Sequence, residues 1–405
     1  TEGDEKKSIE RNIVIEDEFK EVSNLLDFNM GQKKQLELIR VTQDNFFKER
    51  NRLLNKKEST CPKCESKLIK FGHNITNFHD LYTDHKIKIQ RMKCTKCKYE
   101  SASSVKATLN TEISADLARV QATLGATKTY REGERTLSLF SGGERAINNH
   151  DRIKHVTEVV GEVVVIINDE EKEMIKSRNA KELILNVDGG HIKTIEDKRS
   201  IEAITSVIYN PISLKSNPKG TRNYIESKHC AASIKEDNQV DIISNTIVAA
   251  LKQGIGKDTH IVGLSDGAAN CWNVIDAIEP LCGKMTRILD WFHIAMKIEN
   301  ISLPTKLKEK LIRVKWHLWR GKIDNALIRL DQLIELAKGG SIDKIKKFKN
   351  YISNNKEKIV DYRSRKKEGR VFTSNLAEST VESLINKRCK GQQHMRWSRE
   401  GLNPI

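Results

Sequence analysis

Four of the eight cysteines fall in two identical spacings, Cys61-Pro-Lys-Cys64 and Cys94-Thr-Lys-Cys97, with 29 residues between the pairs. A Cys-x-x-Cys knuckle points two sulfurs at one tetrahedral ion, and two knuckles complete the ligand set of a structural Zn²⁺. Two disulfides are the rival reading. They fit poorly with an intracellular chain whose other cysteines, Cys230, Cys271, Cys282 and Cys389, are scattered singly. A closed four-sulfur site folds its module and leaves no open position for chemistry. Chemistry is better sought at Asp188, in Asn-Val-Asp-Gly-Gly, and at Asp266, in Leu-Ser-Asp-Gly-Ala. Each closes a short apolar run and precedes a glycine that keeps the approach open. Neighbouring carboxylates repel unless a cation lies between them, and Mg²⁺ is the hard, oxygen-preferring ion that suits such a pair. A third carboxylate is expected, with Glu378 and Glu382 as candidates between Asn375 and Asn386.

These groups need elements to hold them. The alternation around residues 86–92 reads as a strand, so the two knuckles belong at the tips of a small antiparallel sheet, a zinc ribbon over 59–108. Residues 1–58 carry helical periodicity and form an N-terminal arm. Residues 109–178 are also helical. Gly142-Gly143 breaks that stretch and makes it a candidate helix-turn-helix, with Asn148, Asn149, His150, Arg152 and Lys154 facing a major groove; a plain helical linker is the alternative. From 179 to 300 the pattern changes. Short apolar, β-branched runs at 183–187, 199–209, 259–264 and 285–289 come first as strands and then alternate with helices, which predicts an α/β sheet of mixed direction.

Charge supplies the partner class. Lys and Arg total 71 against 55 Asp and Glu, a formal net charge of +16. Residues 301–370 alone hold 20 basic against 8 acidic side chains, and residues 61–110 hold 10 against 4. Basic charge concentrated this way attracts polyanions and points to nucleic acid; a solvated Lys-rich surface is the bland alternative. Lys63, Lys67, Lys93, Lys96 and Lys98 surround the zinc ligands and favour the same use. No window approaches the ~18 apolar residues of a membrane span, and the acidic N-terminus lacks an apolar signal core, so a soluble intracellular protein is expected.

The pieces Val-Asp188-Gly-Gly, Ser-Asp266-Gly-Ala, Asp290-Trp-Phe-His293 and Val-Glu382-Ser-Leu-Ile-Asn386, with the tail Met395-Arg-Trp397-Ser, come in an order and spacing that resembles a known family. The chain is similar over residues 180–400 to DDE/D transposases with an RNase H-like fold. More narrowly, it resembles bacterial and archaeal insertion-sequence transposases of the mutator-like group, whose catalytic domain carries a helical insertion. The resemblance implies an RNase H-like core split between 179–300 and 371–405, with a basic all-α insertion at 301–370. It implies a catalytic and metal-binding triad of Asp188, Asp266 and Glu382, holding two Mg²⁺ or Mn²⁺ ions. Glu382 is preferred to Glu378 because the family glutamate stands four residues before an asparagine, as Glu382 does before Asn386. Asp290 and His293 would organise the DNA end; His293 could instead be a core histidine. Trp316 or Trp319 could stack on a base or pack the insertion, and Arg388 and Trp397 could contact phosphate or brace the glutamate helix. The implied activity is cleavage at the element ends and joining of the 3′-hydroxyl ends to target DNA. The implied partner is double-stranded DNA, namely terminal repeats and target, bound by a homodimer or larger assembly. The implied setting is the cytoplasm of a prokaryote, at the nucleoid. An inactive DNA-binding derivative and an RNase H-like nuclease or resolvase are the alternatives.

Overall fold

The computed structural model describes residues 29–55, 60–171, 180–196, 200–219, 223–377, 382–390 and 396–405. They fall into two compact units, Thr1–Val160 and Gly161–Ile405.

The first unit is built on a hairpin. Strands β1 (Leu68–His79) and β2 (Asp84–Cys94) pair antiparallel, from Leu68 opposite Cys94 to His79 opposite Asp84. Asp80 makes the turn: its Oδ1 accepts the N–H groups of Tyr82 and Thr83, at 2.8 and 2.6 Å. Along β2 the side chains of His85, Ile87 and Ile89 are buried in alternation, as a strand with one solvated face requires. Ile87 and Ile89 pack with Val105 and with Phe47 of helix α1 (Gln32–Leu54). The short α2 (Val105–Leu109), α3 (Ala115–Thr127), α4 (Tyr130–Ser141) and α5 (His150–Glu171) follow. Thr129 and Glu132 form a reciprocal cap that starts α4. Gly142, at φ +71°, ends α4 in the left-handed conformation that favours glycine. The break expected at Gly142-Gly143 is therefore present. Asn148 is a correction: it is buried and accepts a 3.2 Å bond from Gln121 Nε2, so it tethers α3 to the turn before α5 rather than facing a groove.

The second unit is a mixed α/β domain. Its five-stranded sheet has the order β7-β4-β3-β8-β9, where β3 is Glu182–Lys193, β4 Ser200–Tyr209, β7 His229–Ser233, β8 His260–Ser265 and β9 Lys284–Leu289. A small ribbon of β5 (Leu214–Ser216) and β6 (Asn223–Ile225) lies between β4 and β7 in the chain. Strands β3, β4 and β7 are antiparallel neighbours, while β8 and β9 run parallel to β3. Parallel strands need crossovers, and helices α6 (Val240–Gln253) and α7 (Ala269–Ile278) supply them. The central strands carry continuous buried apolar runs, Leu183-Ile184-Leu185 and Ile261-Val262, because helices cover both faces of such strands.

Helix α8 (Trp291–Glu299) leads into an all-α segment of α9 (Thr305–Trp319), α10 (Ile323–Leu336), α11 (Gly340–Asn354) and α12 (Tyr362–Lys367). Leu311, Val314 and Leu318 face Leu330 and Leu333 at helical spacing, and Ile345, Phe348 and Ile352 extend the same core. A nine-residue π-helix, Glu382–Lys390, and the short α13 (Arg399–Leu402) end the described chain. Among the described residues no helix is long and apolar enough to cross a membrane.

Candidate functional site

The hairpin carries both knuckles at one end. Cys61, Cys64, Cys94 and Cys97 bring their sulfurs within 4.8 Å of one another. The Cys61–Cys97 and Cys64–Cys94 sulfur pairs are 3.5 Å apart. A disulfide would need about 2.05 Å. Sulfurs about 2.3 Å from a tetrahedral zinc stand roughly 3.8 Å from each other, so the spacing is that of a ligand set. All four thiols are free. Glu65 and Lys98, at φ +57° and +63°, tighten the two knuckle turns. Backbone amides then face the sulfurs: the N–H groups of Lys96 and Cys97 lie 3.4 Å from Cys94 Sγ. The N–H and hydroxyl of Ser66 hold the Cys64 thiol down to about 6. The Cys97 N–H draws Cys94 down too. For Cys97 the pull of the Tyr99 N–H is outweighed by desolvation and the neighbouring sulfurs, which push it up to about 12. Four crowded thiolates need a cation, and this cluster can hold a metal ion such as zinc.

The aspartates are placed by strand register. Val187 of β3 lies beside Ser265 of β8, and Ser265 lies beside Leu289 of β9. The next residue in each case is Asp188, within β3, Asp266, just past the end of β8, and Asp290, just past the end of β9. Neighbouring strands are about 4.8 Å apart, so the three form one row across the carboxyl ends of the parallel strands. A cavity of about 10 Å³ opens there, lined among others by Asn186, Asp188, Asp266, Asp290, His293 and Ser374.

The three are not equivalent. Asp188 and Asp266 are half-buried. Asp188 Oδ1 accepts the Gly189 N–H at 2.9 Å, and Asp266 Oδ1 accepts the Ala268 N–H at 2.9 Å. Gly267, at φ +100°, allows the sharp turn after Asp266; a Cβ there would stand 2.8 Å from the Tyr351 ring. Tyr351 donates its hydroxyl to the Asp266 carbonyl at 2.7 Å. Asp290 is 1% exposed and occupied by structure. Its Oδ1 accepts the N–H groups of Phe292 and Ser374, and its Oδ2 accepts the Ser374 hydroxyl at 2.6 Å. It thus caps α8, and burial pushes its carboxyl up. His293 Nε2 lies 3.7 Å from Asp290 Oδ2.

The π-helix lays Ile385 and Cys389 against Ile192, Ile201 and Ala203, on the strand that carries Asp188 and its neighbour. The main chain of Glu382 begins this helix, while its side chain, and all of Glu378, lie outside the described residues. Arg388 and Trp397 are both buried, with the guanidinium 4.4 Å from the ring centroid, so they brace this helix. Trp319 packs among Trp291, Tyr362 and Phe372, at centroid distances of 4.7, 6.0 and 5.4 Å. Trp316 is 53% exposed.

Sequence reasoning missed three groups. Asn186 is 5% exposed and lines the cavity, and among the described residues no hydrogen bond is made to its Oδ1; the signal was a polar residue inside the apolar run Leu-Ile-Leu-Asn-Val. Ser374 holds Asp290, and Tyr351 holds the Asp266 peptide, and nothing in their local sequence marks either. Burial, and then the carboxylates of Asp266, Asp188 and Glu202, push up the Cys271 thiol, so the cavity lies in a negative field. No family model matches the chain, and no curated protein matches it.

Proposed function

We propose that the chain is a DNA transposase of the DDE type, with an RNase H-like catalytic unit, a helical insertion and a structural zinc ribbon. The observation that carries this reading is the register that pairs Val187 of β3 with Ser265 of β8, the residues that immediately precede Asp188 and Asp266. The strand order β7-β4-β3-β8-β9, three antiparallel strands followed by two parallel ones, supports the RNase H-like assignment. The all-α segment between α8 and the π-helix supports the insertion.

Asp188 and Asp266 would hold Mg²⁺ or Mn²⁺ with the carboxylate of Glu382, whose helix packs on the strand of Asp188. When bound, a pair of such ions lowers the pKa of an attacking water and stabilises the leaving oxygen of a phosphodiester. The chain's own contribution is orientation. The Gly189 and Ala268 amides each fix one oxygen of an aspartate that lines the cavity. Tyr351 and Gly267 fix the peptide at Asp266. Asn186 offers an acceptor oxygen beside Asp188 and would orient the attacking water. His293, at the cavity wall, would face the DNA end. The four-cysteine cluster would fold the hairpin and present its lysines to duplex DNA.

The test is a labelled duplex carrying the element ends, incubated with Mg²⁺ or Mn²⁺ and either the wild type or Asp188→Ala. Metal-dependent nicking and joined products from the wild type alone are expected. Binding without cutting by either protein would leave a DNA-binding derivative, and cutting confined to branched DNA would leave a resolvase.

A further inference from the structure

Helices α8 and α11 flank an open cavity of about 320 Å³ separate from the aspartate row. Its wall is formed by Lys297 and Asn300 at the end of α8 and by Lys344, Lys347, Phe348 and Tyr351 on α11. On α11 these positions follow the spacing i, i+3, i+4 and i+7, which puts all four on one helix face. The lining contains no acidic side chain. Among the described residues none of the three lysines forms an ion pair, although neighbours such as Lys349 do, with Asp331. Three exposed lysines line it with no carboxylate among them, a local excess of positive charge that an anion relieves. The floor is aromatic: Phe348 is 4% exposed, and Lys297 Nζ stands 4.6 Å above the Tyr351 ring. Tyr351 also donates its hydroxyl to the Asp266 carbonyl, so one side chain forms both the wall of this cavity and the support of an aspartate in the row.

We infer that this basic cavity binds the phosphodiester backbone of the DNA strand whose scissile bond lies at Asp188 and Asp266. The inference rests on the function proposed above and adds a substrate contact to it. Phosphates are the anions that a strand presents at regular intervals, and lysines are compact point charges that accept them without fixed geometry. The aromatic floor accommodates the sugar or base attached to the bound phosphate. The Tyr351 side chain lines this cavity and bonds the Asp266 peptide, so a phosphate held here would register the strand against the aspartate row.

The experiment uses the full chain carrying Asp188→Ala, without divalent metal, so that binding is read apart from cutting. Affinity for a fluorescent DNA duplex is measured by anisotropy over a range of salt. The comparison protein carries Lys297→Gln, Lys344→Gln and Lys347→Gln. A control carries Lys308→Gln, Lys310→Gln and Lys338→Gln, three insertion lysines outside the cavity. The slope of log affinity against log salt should fall by roughly 2–3 in the cavity variant, at about 0.9 for each phosphate no longer neutralised, and by less in the control. Acetylation of Lys297, Lys344 and Lys347 should be suppressed by duplex and not by an equal concentration of inorganic phosphate. An unchanged slope in the cavity variant overturns the inference. Suppression by inorganic phosphate but not by DNA overturns it as well. Failure of the wild type to cut DNA with metal would instead defeat the proposed function, and the salt slopes would still decide the cavity.

Discussion

The cysteine cluster and the aspartate row are both gatherings of anionic ligands, and they are built in opposite ways. The cysteines sit in tight turns with only two residues between the members of each pair, and four soft sulfurs close around one point. Each knuckle is a local structure, so the hairpin needs only to bring two finished halves together. The aspartates lie on one strand and just past the ends of two others, and nothing local joins them. Their proximity comes from the pairing of a whole sheet. One of them, Asp290, is buried with both oxygens bonded by Ser374 and the start of α8, whereas Asp188 and Asp266 are half-buried at the cavity. A site that is filled by its own ligands stabilises a fold; a site that leaves ligand capacity open on a rigid sheet can accept a substrate.

The largest expected effect breaks the first half of that comparison. Cys61→Ser should remove one equivalent of bound zinc per chain, measured by elemental analysis. It should also unfold the hairpin, since a structural zinc carries on the order of 10 kcal/mol of folding free energy. Amide exchange should accelerate in β1 and β2 and stay unchanged in β3 and β8. Retention of a full zinc equivalent would show that the four sulfurs are not the ligand set.

This difference also governs what could be read without a structure. The Cys-x-x-Cys pairs were legible because their chemistry is written within four residues. Asp188 and Asp266 were visible as acids at the ends of apolar runs followed by glycine, and the mixed α/β character followed from those runs. The register that aligns them was not visible, because it depends on pairing between residues about 80 apart. Asn148 was misjudged for the same reason: its partner Gln121 lies on another helix. Tyr351 was invisible as a support of Asp266, from which 85 residues separate it.

A smaller effect sharpens the second half. Trp319 belongs to the aromatic cluster that joins the insertion to the sheet, where Tyr362 also donates its hydroxyl to the Leu289 carbonyl. Trp319→Ala should cost about 3–5 kcal/mol in chemical denaturation of the second unit. Trp316→Ala, at an exposed position, should cost less than about 0.5 kcal/mol. Equal costs would mean that the two tryptophans share one role.

The smallest effect is a pH dependence in the first unit, away from the sulfurs. His85 is held between Asp80 Oδ2 at 2.9 Å and Asp44 Oδ1 at 2.8 Å. Burial lowers its pKa, and the two carboxylates outweigh that and raise it. Burial likewise raises Asp80, and His85 with the Thr83 and Tyr82 amides outweighs it and lowers it. A raised histidine stabilises fully below its unfolded value of about 6.5 and loses that contribution as pH climbs through its folded value. A lowered aspartate stabilises above its unfolded value and loses the contribution as pH falls through its folded one. Unfolding of the hairpin, followed by amide exchange, should therefore be hardest between these limits. His85→Asn should flatten the alkaline side, and an unaltered profile would assign the dependence to other groups.

The central claim is that Asp188 and Asp266 act together on a divalent ion. Mn²⁺ binding to the zinc-loaded full chain, followed by electron paramagnetic resonance, tests it most directly. Wild-type protein should bind Mn²⁺, and Asp188→Asn and Asp266→Asn should each lose it while β3 and β8 keep their exchange protection. Wild-type affinity in both variants would contradict the account.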